Sequence, residues 1–409
     1  MFANPYVRTI ILSRVLLQLG IWIRNYAVLL YVSELTHNNP VDISLISVAE
    51  FSPIFIFGLI GGTFADRWRP KKTMVWSDLL SGLSVGVVLL AVMNGGWIAL
   101  LIGSFVSASL SQFSQPSAMK LYKRHVPAEQ LQGVMAMSQT LVAVFMVLGP
   151  VIGTFIFIKF GISVSLILTA VMFLGSSLVL SWLPRDVDEA RSGNTGGFVK
   201  ELTDGLRYIR ANKSLRTLGL TFSAVGLASG LTQPLQLFLV IENLGQDKEF
   251  LQWLVMANGA AMLVGGAVIM TIAKKVKPQL LLLVGLLVSA NCTVGMGAST
   301  QIWLTIIFLV ISGLFFPCIQ GGIQTLLVRN TEGAFIGRVS GTIMPIFMGM
   351  MVIGMLTSGY LKDTFSLLSV FIASGVFVMI GALLLLPIVI ERRNKFISNN
   401  KERERHGYE

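Results

Sequence analysis

Residues 61–72 read GGTFADRWRPKK and join two long apolar segments, at about 43–65 and 73–94. The junction holds four basic side chains: Arg67, Arg69, Lys71 and Lys72. Short loops rich in lysine and arginine stay on the cytoplasmic side of a bilayer, and about 20 apolar residues are enough to cross it. This stretch therefore predicts two membrane-spanning helices joined by a cytoplasmic loop.

The rest of the chain repeats that pattern. Its 409 residues are 54% hydrophobic and 12% charged, and the mean hydropathy is +0.75. A soluble chain carries more charge, because its surface must face water. Apolar segments follow one another at about 9–34, 43–65, 73–94, 96–118, 132–158, 162–183, 215–241, 250–272, 279–297, 302–327, 337–360 and 365–390. We expect an all-α transmembrane fold of twelve spans in two six-helix halves.

Basic residues fall in every second loop, and this bias predicts the orientation. The loops after spans four and eight and the C-terminal tail hold Lys120, Lys123, Arg124, Lys274, Lys275, Lys277, Arg392, Arg393, Lys395, Lys401, Arg403 and Arg405. The opposite loops contain Lys159, Lys248 and Lys362 alone. By the positive-inside rule the chain is a multi-pass protein of the cell membrane, inner or plasma, with both termini in the cytoplasm.

A repeat at an offset of about 204 residues indicates the two halves. Gly61-Gly62 aligns with Gly265-Gly266, and Gly133 aligns with Gly337. Duplicated units in the same orientation are one of the arrangements of secondary transporters. The predicted units are a six-helix half at 1–183, a cytoplasmic linker at 184–214, a second six-helix half at 215–391 and a cytoplasmic tail at 392–409.

The linker and the tail differ in composition from the spans. Phe198, Leu202, Leu206 and Ile209 recur at helical spacing among charged residues. The linker is therefore expected to contain an amphipathic helix along the cytoplasmic membrane face. The last residues, NNKERERHGYE at 399–409, are strongly polar and are expected to be disordered.

The composition argues against several classes of partner and cofactor. The net charge of +11 is spread over alternate loops, so a nucleic-acid partner is not expected. Cys292 and Cys318 lie in apolar runs, and the three histidines, His37, His125 and His406, have no metal-ligand spacing. Neither a metal nor a cofactor is expected. The sequence has no G-x-x-x-x-G-K-[ST] loop, which argues against an ATP-driven pump.

A membrane-embedded enzyme or sensor is the alternative from a different class. An enzyme should carry a nucleophile with a base, or a metal cluster, and a sensor should carry a soluble output domain. The sequence shows neither, so an enzyme is not predicted. The first apolar stretch, interrupted by Arg14, Gln18 and Arg24, is expected to be a retained span.

The loop at 61–72 resembles the signature G-x-x-x-D-[RK]-x-G-x-[RK]-[RK] of the major facilitator superfamily. Its matching residues are Gly62, Asp66, Arg67, Lys71 and Lys72, and Arg69 stands at the later glycine. In that family the aspartate latches the two halves in the outward-open state, and the glycine lets two spans approach closely. The resemblance implies the same latch here. The alternative for the basic residues is that they only set the orientation.

A second motif, LGPVIG, contains Gly149, Pro150 and Gly153 in span five. It is similar to the antiporter motif G-P-x-x-G of the same family, with Phe145 at an upstream glycine. Residues 96–118 lack the span-four arginine of drug exporters. The resemblance implies that the motif bends and thins span five against the other half and bears on export direction, with packing alone as the alternative.

The whole chain is similar to the macrolide-efflux-like drug:proton antiporters of that superfamily, whose relatives include siderophore exporters and lysophospholipid transporters. The resemblance implies a bacterial membrane and a secondary transporter.

Four ionisable side chains lie inside predicted spans: Arg14, Arg24, Glu50 and Asp78. A charged side chain in the hydrocarbon of a bilayer is energetically costly, so its presence indicates a charged partner or a functional role. Arg24 and Glu50 lie at similar distances along the chain from the outer loop at 37–38, so both reach roughly 20 Å into the membrane and can meet there. Arg14 and Asp78 are predicted to form a second pair nearer the cytoplasm.

The proton affinity of a carboxylate rises in an apolar cavity and falls beside an arginine, and proton coupling needs such a balance. We therefore predict that Glu50, Arg24, Asp78 and Arg14 serve proton coupling or substrate binding. Static ion pairs are the alternative, and Arg14 could instead extend to the headgroups.

Uncharged polar residues dominate the spans of the second half. They are Gln233, Gln236, Asn258, Gln320 and Gln324. They either line a cavity or form hydrogen bonds between helices.

The predicted function is export of an amphiphilic small molecule, drug-like or macrolide-like, in exchange for protons. The predicted partners are the lipid bilayer, the small-molecule substrate and protons, and the chain is expected to be a monomer. A carrier of a siderophore or a lysophospholipid is the alternative of the same fold, in which Arg24 would bind an anionic group.

Overall fold

The computed structural model describes residues 4–184, 198–272, 276–332 and 335–406, with side chains described outside 59–67, 198–202, 336–338, 340 and 387–406. Regular structure in the described ranges is helical. The helices are α1 (Pro5–Leu35), α2 (Pro40–Arg67), α3 (Pro70–Met93), α4 (Ile98–His125), α5 (Ala128–Ser181), α6 (Phe198–Ala211), α7 (Lys213–Thr232), α8 (Gln236–Phe238), α9 (Leu251–Ile272), α10 (Pro278–Ala298), α11 (Ile302–Asn330), α12 (Ile336–Thr364) and α13 (Leu367–His406). A π-helical turn (Leu239–Asn243) follows α8, and a 3₁₀ turn (Lys248–Phe250) precedes α9.

Local sequence explains where several helices begin. Pro5, Pro70 and Pro278 occupy the first turns of α1, α3 and α10, where the missing N–H of proline has no helical partner to lose. Asn4 caps α1 because its side chain accepts the N–H of Tyr6 at 2.9 Å. Asn212 caps α7 in the same way.

Ten helices in the described part of the chain are long and apolar enough to cross a membrane, and a bent pair adds an eleventh. The 54-residue α5 counts once among the ten, although about 80 Å of helix exceeds one bilayer. Its backbone breaks at Gly161, with φ 73° and ψ −175°, a conformation that glycine readily adopts. We call residues 128–160 α5a and residues 162–181 α5b. The all-α transmembrane class is confirmed, and the count reaches twelve when both halves of α5 are counted as spans.

The span predicted as one segment at 215–241 is broken in the structure. α7 ends at Thr232, and the following Gln236–Asn243 stretch is bent from it by 48°. Pro234 lies in the break and has no N–H to continue the helical ladder. Broken spans expose backbone and polar side chains at mid-membrane depth, and here they place Gln233 and Gln236 at the break.

The helices up to residue 181 pack mainly on one another, and so do the helices from α6 to α13. The two sets of helices meet chiefly through α2 with α12 and through α5 with α9. This arrangement agrees with two halves. Residues 185–197 of the predicted linker lie outside the described residues, and the predicted boundaries remain a prediction.

The linker does contain the expected helix, α6. Tyr208 stacks on Phe335 with ring centroids 4.5 Å apart, and its hydroxyl accepts the N–H of Glu332 at 3.3 Å. Ile209 is buried in the core of the C-terminal half. This part of the amphipathic helix therefore packs on protein, and its placement along the membrane face remains a prediction.

The expectation of a disordered tail at 399–409 is wrong over the described residues up to 406, because α13 continues to His406. Adding residues to an existing helix costs far less than starting one. Lysine, glutamate and arginine, which dominate the tail, are good helix formers.

The two sets of helices touch directly at the end that is predicted to face outward. The hydroxyl oxygens of Ser44 on α2 and Ser358 on α12 lie 3.0 Å apart in a buried contact. A Cβ placed on Gly359 would lie 2.6 Å from the carbonyl oxygen of Pro40. Ile43 is fully buried in an apolar cluster otherwise made of C-terminal residues. The space between the two sets of helices is therefore closed by α2 and α12 at the end predicted to face outward.

An ion pair also joins the two sets of helices at this end. The ammonium of Lys248 and the carboxylate of Glu34 are 2.5 Å apart. A second pair, Lys362 with Glu242 at 2.6 Å, lies within the C-terminal set.

Candidate functional site

The motif Gly149-Pro150-x-x-Gly153 brings α5a against the middle of α1. A Cβ on Gly149 would lie 2.3 Å from the indole of Trp22, and one on Gly153 would lie 2.6 Å from the carbonyl oxygen of Trp22. Both glycines therefore make room for α1 of the same half. The expectation that they thin span five against the other half is wrong, because the glycine face of α5a points to Trp22 and Tyr26.

Pro150, by contrast, affects a contact with the other half, because it lacks a backbone N–H. A proline leaves the carbonyl four residues earlier without its helical donor, which here is the carbonyl of Met146. That oxygen would lie 3.3 Å from a Cβ placed on Gly259 of α9. The motif thus joins a packing contact within the N-terminal half to a contact between the halves. Its influence on export direction remains a prediction.

Arg24 lies in the α1 segment that the two glycines hold in place. Its side chain is 5% exposed. The Nε and Nη2 atoms donate to Asn25 Oδ1 at 3.2 and 2.9 Å. The Nη1 atom is buried and has no hydrogen-bond partner among the described residues.

Glu50 lies on α2, partly buried, in the same neighbourhood. Its carboxylate interacts electrostatically with Arg24 and with Tyr26. Among the described side chains it forms no ion pair or hydrogen bond, so Arg24 and Glu50 are neighbours that do not close on each other. The structure brings the predicted pair together, and its role in proton coupling remains a prediction.

Arg14 and Asp78 form a separate polar cluster inside the N-terminal half. Asp78 is 3% exposed and accepts a hydrogen bond from Ser176 Oγ at 2.6 Å. Arg14 interacts electrostatically with Asp78 and with Tyr122. The carboxylate of Asp78 therefore already has a donor, and its surroundings resemble those of a structural polar contact more than those of Glu50 do.

The polar residues of the C-terminal half divide between the two predicted alternatives. Asn258 donates to the carbonyl of Leu309 on α11 at 2.9 Å, so it bonds between helices. Gln320 and Gln324 are exposed on α11. Gln233 Oε1 is buried without a partner among the described residues, and Gln236 is partly buried. The three exposed or unpartnered glutamines are the ones still free to face a ligand.

The latch motif is only partly described. The side chains of Gly62, Asp66 and Arg67 lie outside the described residues. The Lys71 ammonium donates to the carbonyl of Ser181 at 2.8 Å and also to that of Leu183. Cations are stabilised at helix C-termini, so Lys71 anchors the end of α5b within its own half. Lys72 is exposed, and the latch itself remains a prediction.

The sequence reading missed the residues that surround the predicted charges. Asn25 and Tyr26 follow Arg24 directly, so their position beside an intramembrane arginine could have indicated them. Trp22 lies one helical turn before Tyr26, and their rings are 6.0 Å apart. Ser176, a hundred residues from its partner Asp78, carried no signal in the sequence.

A bundle of membrane spans in two sets, closed at one end and holding an arginine and a carboxylate inside, is the arrangement expected of a membrane transporter. The chain belongs to the Major Facilitator Superfamily, whose family model matches residues 10–341 and 218–407. This confirms the resemblance seen in the loop at 61–72 and in the span-five motif.

Relatives support the same assignment, and solved structures share the fold. An uncharacterised MFS-type transporter of Bacillus subtilis, YfiS, is 25% identical over 98% of this chain and 97% of its own length. Macrolide efflux protein A of Streptococcus pyogenes is 22% identical, over 90% of this chain and 91% of that protein. The structure of a variant of the nucleoside transporter NupG matches with a TM-score of 0.78 at 11% identity, covering 94% of this chain and 99% of that one. This last likeness shows the fold alone.

Replacing Gly153 by alanine is expected to lower both stability and transport. The added Cβ would meet the backbone of α1 at 2.6 Å, and backbone cannot move aside as a side chain can. Overpacking of this kind costs about 1–3 kcal/mol. Thermal unfolding of the purified protein in detergent measures the loss. The matched control is Gly86→Ala on α3, where nothing lies within 4 Å of the new Cβ, and equal behaviour of the two variants would contradict the prediction.

Proposed function

We propose that this protein is a secondary transporter that exports an amphiphilic small molecule from the cytoplasm in exchange for protons. The observation that carries the proposal is Glu50, a carboxylate inside a span, beside Arg24 but not paired with it. An ionisable group inside a membrane is energetically costly, so its presence there indicates a functional role. A carboxylate that its neighbour does not hold is able to take up and release a proton.

The proposed cycle follows from the position of Glu50. With the outer side open, Glu50 takes a proton from outside and its attraction to Arg24 and to bound substrate is lost, so substrate leaves outward. The halves then close outside, through the contacts of α2 with α12, and open inside. Glu50 releases the proton to the cytoplasm, and the carboxylate is again ready for substrate.

The efflux direction has support from the relatives, which include a macrolide efflux protein and the multidrug efflux pump Tap of Mycobacterium bovis, 22% identical over 81% of both chains. The cytoplasmic placement of both termini, the latch at Asp66 and a monomeric state belong to the same proposal. A second candidate, a carrier of a siderophore or a lysophospholipid, is favoured by the unpartnered Nη1 of Arg24.

The test uses the purified full-length protein in lipid vesicles with an acidic interior. Three amphiphilic probes, the cation ethidium, the anion decyl phosphate and the zwitterion decylphosphocholine, are offered outside while probe uptake and internal pH are followed together. We expect uptake of at least one probe with matching proton loss, both absent from empty vesicles and from vesicles without a pH gradient. Uptake that ignores the gradient would contradict proton exchange, and absence of any uptake would contradict export of amphiphiles.

A further inference from the structure

Arg24 has more hydrogen-bonding capacity than the protein uses. A guanidinium carries five N–H donors in a planar fork and always keeps its charge. Two of its nitrogens share one acceptor, Asn25 Oδ1. Nη1 has no partner within the described chain, on a side chain that is 5% exposed. A buried charged donor without an acceptor is unfavourable, so the site is complete only when something else supplies one.

Glu50 does not supply that acceptor. Its carboxylate attracts the guanidinium, yet the two groups form no ion pair among the described side chains. The α1 segment cannot easily shift to close the gap, because Gly149 and Gly153 clamp Trp22 and Tyr26 on either side of Arg24. The site therefore presents one cation and one anion, adjacent and both open.

Other charged groups do not complete the site. Arg14 interacts electrostatically with Asp78 and Tyr122, in a separate cluster. Gln233 at the end of α7, Asn258 on α9 and Gln320 on α11 are uncharged, and the charged residues of α7 and α11, Lys213, Arg216 and Arg329, lie at helix ends. A ligand that neutralises both Arg24 and Glu50 must itself carry one acidic and one basic group.

We propose that the cargo of this transporter is a zwitterionic amphiphile, whose acidic group binds Arg24 Nη1 and whose basic group faces Glu50. The inference rests on the proposed function and specifies its substrate class. Carboxylate and phosphate oxygens match the fork of an arginine. A cationic group beside Glu50 favours the ionised carboxylate, so cargo and proton exclude each other there, as exchange requires. A purely anionic cargo would instead favour the protonated carboxylate and would travel with the proton.

Binding to the full-length protein in lipid nanodiscs tests the proposal, by isothermal titration with empty nanodiscs subtracted. The probes share a ten-carbon chain and differ in the headgroup: decylphosphocholine, decyl betaine, decyl phosphate and decyltrimethylammonium. At least one of the two zwitterions is expected to bind more tightly than either singly charged probe. The difference between phosphocholine and betaine tells whether the acidic group is a phosphate or a carboxylate.

Variants assign the two charges of the probe. Arg24→Gln is expected to weaken binding of the preferred zwitterion and of decyl phosphate about tenfold to hundredfold, the effect of one charge-assisted hydrogen bond, and to leave decyltrimethylammonium unchanged. Glu50→Gln is expected to weaken binding of the preferred zwitterion and of decyltrimethylammonium, and to leave binding of decyl phosphate unchanged. Arg24→Lys keeps the charge without the fork and is expected to bind with intermediate affinity. Arg216→Gln, at an exposed position on α7, controls for loss of one positive charge.

Two results would overturn the inference: a singly charged probe that binds at least as tightly as both zwitterions, or an Arg24→Gln variant that stays folded and binds every probe like the wild type. Either result leaves proton-coupled export intact if the vesicles still exchange a probe for protons. Conversely, Arg24-dependent binding without proton exchange would remove the proposed coupling and keep the zwitterion site.

Discussion

Glu50→Gln is expected to reduce substrate-dependent proton movement to the level of empty vesicles, while the helix bundle stays folded. Glutamine has nearly the same shape as glutamate but cannot take up a proton near neutral pH. The carboxylate forms no hydrogen bond or ion pair among the described residues, so little packing depends on its charge. In vesicles with an acidic interior, internal pH and probe uptake measured together will report the loss.

The control for this variant is Glu129→Gln, which makes the same chemical change at an exposed position near the start of α5. Proton movement should persist there. If Glu50→Gln kept coupled proton movement, Glu50 would be a packing residue, and the search for the proton site would turn to Asp78 and its contact with Ser176.

A disulfide between α2 and α12 is expected to stop transport completely. The hydroxyl oxygens of Ser44 and Ser358 are 3.0 Å apart, so cysteines at both positions place their sulfur atoms close enough to form an S–S bond of about 2.05 Å. The bond would hold the outer ends of the halves together and prevent outward opening. Transport by the double variant Ser44→Cys, Ser358→Cys should fall to background under oxidising conditions and return after reduction.

Single variants at the same two positions serve as controls, since neither can form this bond. The native Cys292 and Cys318 are both buried, so they are expected to stay reduced throughout. Full transport by the oxidised double variant, with the disulfide verified by mass spectrometry, would show that this outer contact need not open. The proposed cycle would then be wrong at that step.

Much of the fold could be predicted because a bilayer imposes simple rules. Apolar length indicated the spans, which the structure confirms as helices, whereas the orientation indicated by the basic residues of alternate loops remains a prediction. The broken α7 and the helical tail were not predicted. A proline such as Pro234 marks a possible break, but neighbouring helices decide whether the chain bends there. For the tail, polar composition alone indicates disorder, whereas α13, which the tail extends, makes further helical residues inexpensive to add.

Part of the candidate site could likewise be predicted from the sequence, and part could not. An arginine and a glutamate in hydrocarbon indicated Arg24 and Glu50, because the cost of a buried charge is a local property. Residue counting placed them at similar depth. It could not tell whether they would pair, since an ion pair requires nitrogen and oxygen atoms within about 4 Å, a distance that counting residues along two helices does not resolve.

The sequence by itself determined the class of this protein: a helical membrane chain in the major facilitator pattern, with four charges inside its spans. Only the tertiary structure decided which of these charged groups have hydrogen-bond partners. Asp78 receives a hydrogen bond from Ser176, whereas Arg24 keeps a donor open beside Glu50. The physical reason is that hydropathy and charge are summed along the chain, while a hydrogen bond depends on distances of about 3 Å between helices far apart in sequence.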